Sequence, residues 1–486
     1  TSEAGTLSAA QAKALTTAQV QALNTDNIKA LKLTSVESMT TTQLQVMSTT
    51  QLNALETEDF ANLNDAQITG LTTAQVEALT TSAVTALSAD QVSKLTTAQV
   101  AVVTSTNVGA LNSDQVSVLS TAQVGALGTD QVKAITTGAI AAMTTTQVAS
   151  LSTTQVAALT TGQMAALTAN EVKTLSTAQV QALGSTQVNA LTNANVTAMS
   201  TAQVAALTTD QVKGLTTSGV SALSTAQVQA LSTAQVQAIT TANVAVMSTG
   251  QVAALTTDQV SALSTSQVTA LNTSDIAALS TGQVAALTTA HVNALSTASV
   301  AAMSASQVGA LSTAQVQALT TGNVATLNTA QVAALSTDQV MAFSTAQVSA
   351  LTTTEAATLS AAQTKALTTA QVQVLNTDNI KALKLASVEA MTSTQLQVLT
   401  TTQLNTLETE DFANLSDAQI TGLTTAQVKA LTTTAVNALT ANQVSKFTTA
   451  QVAVMTAANV TALSADQVAA LTTAQVGTLD TTQVKA

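Results

Sequence analysis

Leu231-Ser232-Thr233-Ala234-Gln235-Val236-Gln237-Ala238 carries the start signal and the body of one short helix within eight residues. Ser232 is a preferred N-cap residue. Gln235, three places later, completes the S/T-x-x-Q capping box. In it the Ser oxygen accepts the amide of the third helical residue and the Gln reaches back to the cap amide. Leu231 and Val236 flank this pair at the positions of a hydrophobic staple. Elsewhere Asp often fills the second helical place, as at Asp90, Asp114, Asp130, Asp210, Asp258 and Asp338, where the helix dipole favours an anion.

The same eight-residue pattern fills the chain. A large apolar residue recurs every eight residues from Leu7 to Leu479, at 60 positions with no insertion or deletion. The following place is Ser, Thr, Asn or Asp in 54 of the 60 octads. No linker or shift of composition interrupts the series, so residues 1–486 read as a single continuous octapeptide array. A longer period overlies it: residues 6–134 recur as 358–486, an offset of 352 residues, with about four positions in five identical. The chain starts and stops within the repeat, which suggests an excerpt or mature form of a longer parent with further copies.

Three backbones can be tested against period eight. In a continuous α-helix the Leu row would spiral by about 80° per octad and leave no stripe to bury. A β-solenoid needs inward residues at even separation, whereas Leu at the first place and Val at the sixth are five apart, and Gln and Ala are poor strand residues. The Thr and Val content keeps the β-solenoid as the alternative. One capped helix of about six residues per octad suits every place. Such a helix is too short to stand alone and must stack. The fold class expected is all-α, an α-solenoid with Leu, Val and the closing Ala of each octad inward. Lys32 and Glu56, three octads apart, both break the cap pattern, and the pair returns as Lys384 and Glu408. This spacing points to three octads per coil, with these charges one layer apart; two per coil is the competing geometry.

Composition agrees with a thin core. Of 486 residues 46% are apolar but only 1% aromatic, with four Phe and no Trp, Pro or Cys. Phe60, Phe343, Phe412 and Phe447 all fall on Leu or Val places and are expected in the core. The absence of Cys excludes disulfides and thiolate chemistry. A net charge of −12 argues against nucleic acid or an anionic membrane as partner, and no apolar run approaches membrane-spanning length.

Candidate chemistry is sparse. His291 is the single histidine and stands at the capping-box Gln place, where it reads as an exposed Gln substitute; catalysis or metal binding would need partners that the sequence lacks. Glu56, Glu58 and Asp59, with their copies Glu408, Glu410 and Asp411, are the densest carboxylate groups. They could suit calcium, but no calcium-loop motif surrounds them, and a solvated or laterally paired charge patch is expected. No nucleophile turn appears. No catalytic, cofactor-binding or metal residue is assigned, and no enzyme activity is expected. Regular Thr-Thr pairs would form hydroxyl rows, which are expected to serve as caps and first-turn residues; ice or glycan binding would require the second Thr to face solvent on one flat side.

Octads such as Leu207-Thr208-Thr209-Asp210-Gln211-Val212-Lys213-Gly214 resemble the Leu-Thr-Thr-x-Gln-Val tracts of very large secreted or cell-surface proteins of proteobacteria, described as adhesin-like or haem-utilisation exoproteins. The resemblance covers essentially the whole chain and implies a secreted, surface-exposed, non-enzymatic protein. Haem binding does not carry over to a chain with one His. The function expected is structural: an extracellular rod serving as stalk, filament or surface coat, with self-association or continuation of the array end to end. The alternative is an adhesin, or an ice- or glycan-binding surface built on the Thr rows.

Overall fold

The computed structural model describes residues 3–486. After a single 3-10 turn, Ala4–Thr6, it contains 60 α-helices of four to six residues, one per octad, and no strand among the described residues. This removes the β-solenoid and establishes the α-solenoid of short capped helices.

Each helix forms because its octad answers its own end groups. In Thr233–Ala238 the Ser232 side chain accepts the amide of Gln235, and the amide of Ser232 donates to the Gln235 side chain at 2.7 Å. The link between helices is two residues long: Leu231 (φ −64°, ψ 139°) and Ser232 (φ −69°, ψ 162°) are both extended. Among the described residues no φ is positive, so the turns require no glycine. The Leu amide closes the preceding helix by donating to the carbonyl three residues back, as Leu231 to Val228 at 3.2 Å. Several helices stop before six residues. Thr241–Val244 tightens at its end, where Met247 bonds to Val244 in 3-10 fashion, a common way to finish a helix.

The chain forms two compact units, Thr1–Met247 and Ser248–Ala486, built alike. In each, a helix packs on the one three octads further along, as Thr201–Ala205 on Thr225–Ala230 and Thr289–Ala294 on Thr313–Ala318. The three-octad coil expected from Lys32 and Glu56 is therefore present, and their helices Leu33–Ser38 and Thr57–Asn62 pack together. The coil is slightly longer than three octads: hydrogen bonds and close approaches join residues 25 to 31 apart, such as Asn53 to Ala78 and Gln51 to Val20.

Leu at the first place and Val at the sixth are buried through most of the array, typically under 6% exposed, but near the C-terminus Val468, Val476 and Val484 are exposed and Leu463, Leu471 and Leu479 half-buried. Burying such a side chain stabilises by about 1.5–3 kcal/mol, and the gain repeats at every octad. Phe60 and Phe412 take the Val place and Phe343 and Phe447 the Leu place, all buried. One expectation needs correction. The closing Ala is only half-buried, as at Ala230 and Ala238, and the third inward residue is Gln at the fifth place. The reason lies in the hydrogen bonds between coils.

Candidate functional site: the buried amide between coils

A short helix leaves amides unsatisfied at its start and carbonyls at its end. Gln235 answers both. Its Oε1 accepts the Ser232 amide, while its Nε2 donates to the carbonyls of Leu207 at 2.5 Å, Ala205 at 3.1 Å and Val204 at 3.3 Å. Those carbonyls end the helix Thr201–Ala205 of the preceding coil. One amide thus caps the start of its own helix and the end of another, using both of its hydrogen-bonding faces. The register is constant: one bond spans 28 residues, as Gln75 to Met47, Gln211 to Leu183 and Gln419 to Met391. Periodicity alone could not reveal this, because the capping box accounts for the Gln oxygen and leaves the Gln nitrogen unassigned.

Shorter residues at the fifth place keep part of the arrangement. Asn243 donates to the Leu215 carbonyl at 2.7 Å but does not return to its own cap amide. Ser387 reaches the Leu359 carbonyl at 2.9 Å.

His291 is corrected from exposed to buried, at 3%. It reproduces both halves of the Gln: Nδ1 accepts the Thr288 amide at 3.2 Å, and Nε2 lies 2.7 Å from the Leu263 carbonyl. This pairing requires the Nε2-protonated tautomer. Burial pushes the imidazole below its ordinary value, opposed by the bond to Leu263.

The acidic groups divide. Glu56, Glu58, Glu408 and Glu410 are exposed, as a solvated patch requires. Asp59 and Asp411 are not part of it: they are buried at the fifth place, accepting the amides of Glu56 at 2.9 Å and Glu408 at 2.8 Å. Burial is the main cause that raises both carboxyls above the usual range, assisted by the neighbouring Glu side chains. Glu171, Asp275 and Glu355 occupy the same place and are raised by the same cause. Among the described residues no three His, Asp or Glu side chains are arranged to hold a metal ion. Lys32 and Glu56, although on packed helices, form no ion pair. The pairs across coils are instead Lys94–Asp65 and its copy Lys446–Asp417, each 3.3 Å.

The second Thr of most pairs, such as Thr73 and Thr97, is exposed at the first helical position, as is Thr233 after Ser232. These Thr belong to all three helices of a coil, so the hydroxyls are not gathered on one side. Inside the first unit the Leu and Val rows leave an apolar void of about 30 Å³ between Val76 and Ile135, space for little more than one water.

The model of the ALTTAQ repeat matches residues 52–89, a run of overlapping copies from 105 to 353, and 404–441, about two thirds of the chain. No curated protein matches it.

Proposed function

The chain belongs to the ALTTAQ repeat family, and from that membership we propose a structural, non-catalytic protein: a thin rod serving as stalk, filament or coat at the cell surface. The observation that carries this reading is the use of the buried polar groups. The fifth-place side chains serve mainly to join one helix end to another, as Gln235 does, and the same join repeats from coil to coil. Solenoids of this kind gain stability from neighbouring repeats and can be extended without redesign.

An extracellular location is supported by the resemblance of the octads to adhesin-like exoproteins. No helix among the described residues is long and apolar enough to cross a membrane. Self-association or lateral contact with a cell-surface glycan would be the partners of such a rod. The exposed Thr residues leave room for the second reading, a glycan-binding surface.

Electron microscopy of the purified chain tests the central proposal. At about 8–10 Å per stacked helix layer, each unit is expected as a slender body of about 70–90 Å. Dispersed globular particles would overturn it. Protease shaving of intact cells tests the location, and a glycan array tests the second reading.

A further inference from the structure

Forty of the 60 fifth places hold Gln. The other twenty follow an order that the octad does not explain. Ser35, Asp59, Ala83 and Asn107 succeed one another at steps of 24 residues, and where the series shifts it does so by one octad, as from Asn107 to Ala139. In each unit the step averages about 26 residues, within the span of 25 to 31 residues that joins neighbouring coils. Departures from Gln therefore stack on one line of each unit, with Asn27, His291 and Asn379 one octad before it. Where Ser299 stands on this line an open cleft of about 370 Å³ lies against Ser296 and Leu271.

All five buried carboxyls sit on the line: Asp59 and Glu171 in the first unit, Asp275, Glu355 and Asp411 in the second. Each accepts its own cap amide, as Glu171 from Thr168 at 2.5 Å and Glu355 from Thr352 at 2.6 Å. What they lack is the donor that Gln supplies to the previous coil. Oε1 of Glu355 and Oδ1 of Asp275 are buried with no hydrogen-bond partner. By the 28-residue register, the carbonyl opposite Glu171 is that of Met143, and the one opposite Glu355 is that of Leu327. A carboxylate there sets oxygen against oxygen. A protonated carboxyl supplies an O–H in the place of the Gln N–H, and Asn107 shows that a side chain of Asp length reaches the carbonyl at this register.

We propose that this line is an acid-strengthened seam, along which proton uptake by buried carboxyls closes the coils and proton loss loosens them. The neighbouring acids act in the same direction, and the one cation on the helix of a seam carboxyl is Lys173, exposed two residues beyond Glu171. Asp59 faces Glu56, Glu58 and Glu37, and Asp411 faces Glu408, Glu410 and Glu389. Lys29 and Asp26 lie four octads before Asp59's helix, and Lys381 and Asp378 before that of Asp411. The helices packed on those of Glu171 and Asp275 carry no charge, and of those packed on the helix of Glu355 only Thr377–Ala382 does, through Asp378 and Lys381. For an acid whose folded value is raised, the stabilisation is complete below the unfolded value and is lost as pH rises through the folded one.

The test is thermal unfolding of the full chain at about pH 4.5, next to the unfolded carboxyl values, and at about pH 8. The five-fold variant Asp59→Gln, Glu171→Gln, Asp275→Gln, Glu355→Gln, Asp411→Gln installs the residue that forty other octads use. A charge-matched control neutralises five exposed acids: Glu77→Gln, Asp114→Asn, Asp210→Asn, Asp258→Asn and Asp338→Asn. The Tm of the wild-type chain and of the control is expected to fall at the higher pH, and the five-fold variant to lose that fall. A wild-type Tm that holds or rises at the higher pH, or a five-fold variant that falls as far as the control, would overturn the proposal.

Discussion

The Nε2 of Gln315 donates to the carbonyl oxygen of Leu287 at 2.6 Å, across 28 residues of chain. The same side chain accepts the amide of Ser312 at 2.7 Å. Gln315→Ala removes both bonds and leaves a buried carbonyl without its donor, a loss of about 1–3 kcal/mol. Gln315→Asn should cost less, since Asn323 and Asn459 still reach the corresponding carbonyl. Hydrogen exchange resolves this, with protection lost first around Ser312 and Leu287. Equal loss in both variants would place the energy in the cap alone.

Leu287 is 4% exposed. Leu287→Ala should destabilise by about 2–5 kcal/mol through lost transfer energy and the cavity left behind. Because each coil touches only its neighbours, exchange should quicken in the coils next to Leu287 and stay unchanged many octads away. Uniform acceleration over the chain would contradict nearest-neighbour stabilisation.

His291 should titrate below the ordinary histidine value, because burial disfavours the imidazolium. A base with a lowered folded value contributes stability that is present above the unfolded value and lost as pH falls through the folded one. His291→Gln should therefore match wild type at pH 7 and exceed it in mild acid. Imidazole NMR signals followed against pH measure the first expectation, and denaturant midpoints the second.

Two glycines should answer in opposite directions. A Cβ on Gly70 would lie 1.9 Å from the Thr41 methyl, and its copy Gly422 would place one 2.7 Å from Ser393 Cβ. Gly70→Ala should destabilise, and Thr41→Ala in the same chain should restore much of the loss. Gly125 has no neighbour within 4 Å of such a Cβ and lies in the helix Thr121–Ala126, so Gly125→Ala should stabilise by about 0.5–1 kcal/mol. Chemical denaturation of the three variants checks the signs.

Much of this fold is legible along the chain because its determinants are local. Ser232, Gln235, Leu231 and Val236 lie within six residues of one another, and capping and stapling act over that distance. The correction at the closing Ala has the opposite origin. Ala230 and Gln227 belong to one helix, Thr225–Ala230, but which of them is buried depends on a carbonyl 28 residues earlier, that of Met199. His291, Asp59 and Asp411 are buried rather than at the surface for this single reason: the capping box describes the Gln oxygen, and the Gln nitrogen has its partners in another coil.

The sequence by itself determined the unit, its helical type, its caps, the Leu and Val rows and the three-octad spacing hinted by Lys32 and Glu56, since these follow from contacts within an octad or from strict repetition. The tertiary structure alone decided the inward turn of the fifth place, the fraction of an octad by which a coil exceeds three, and with it the line on which Asp59 and Glu171 stack. That fraction arises from how helix ends meet across coils, where the amide of one helix must find the carbonyls of another.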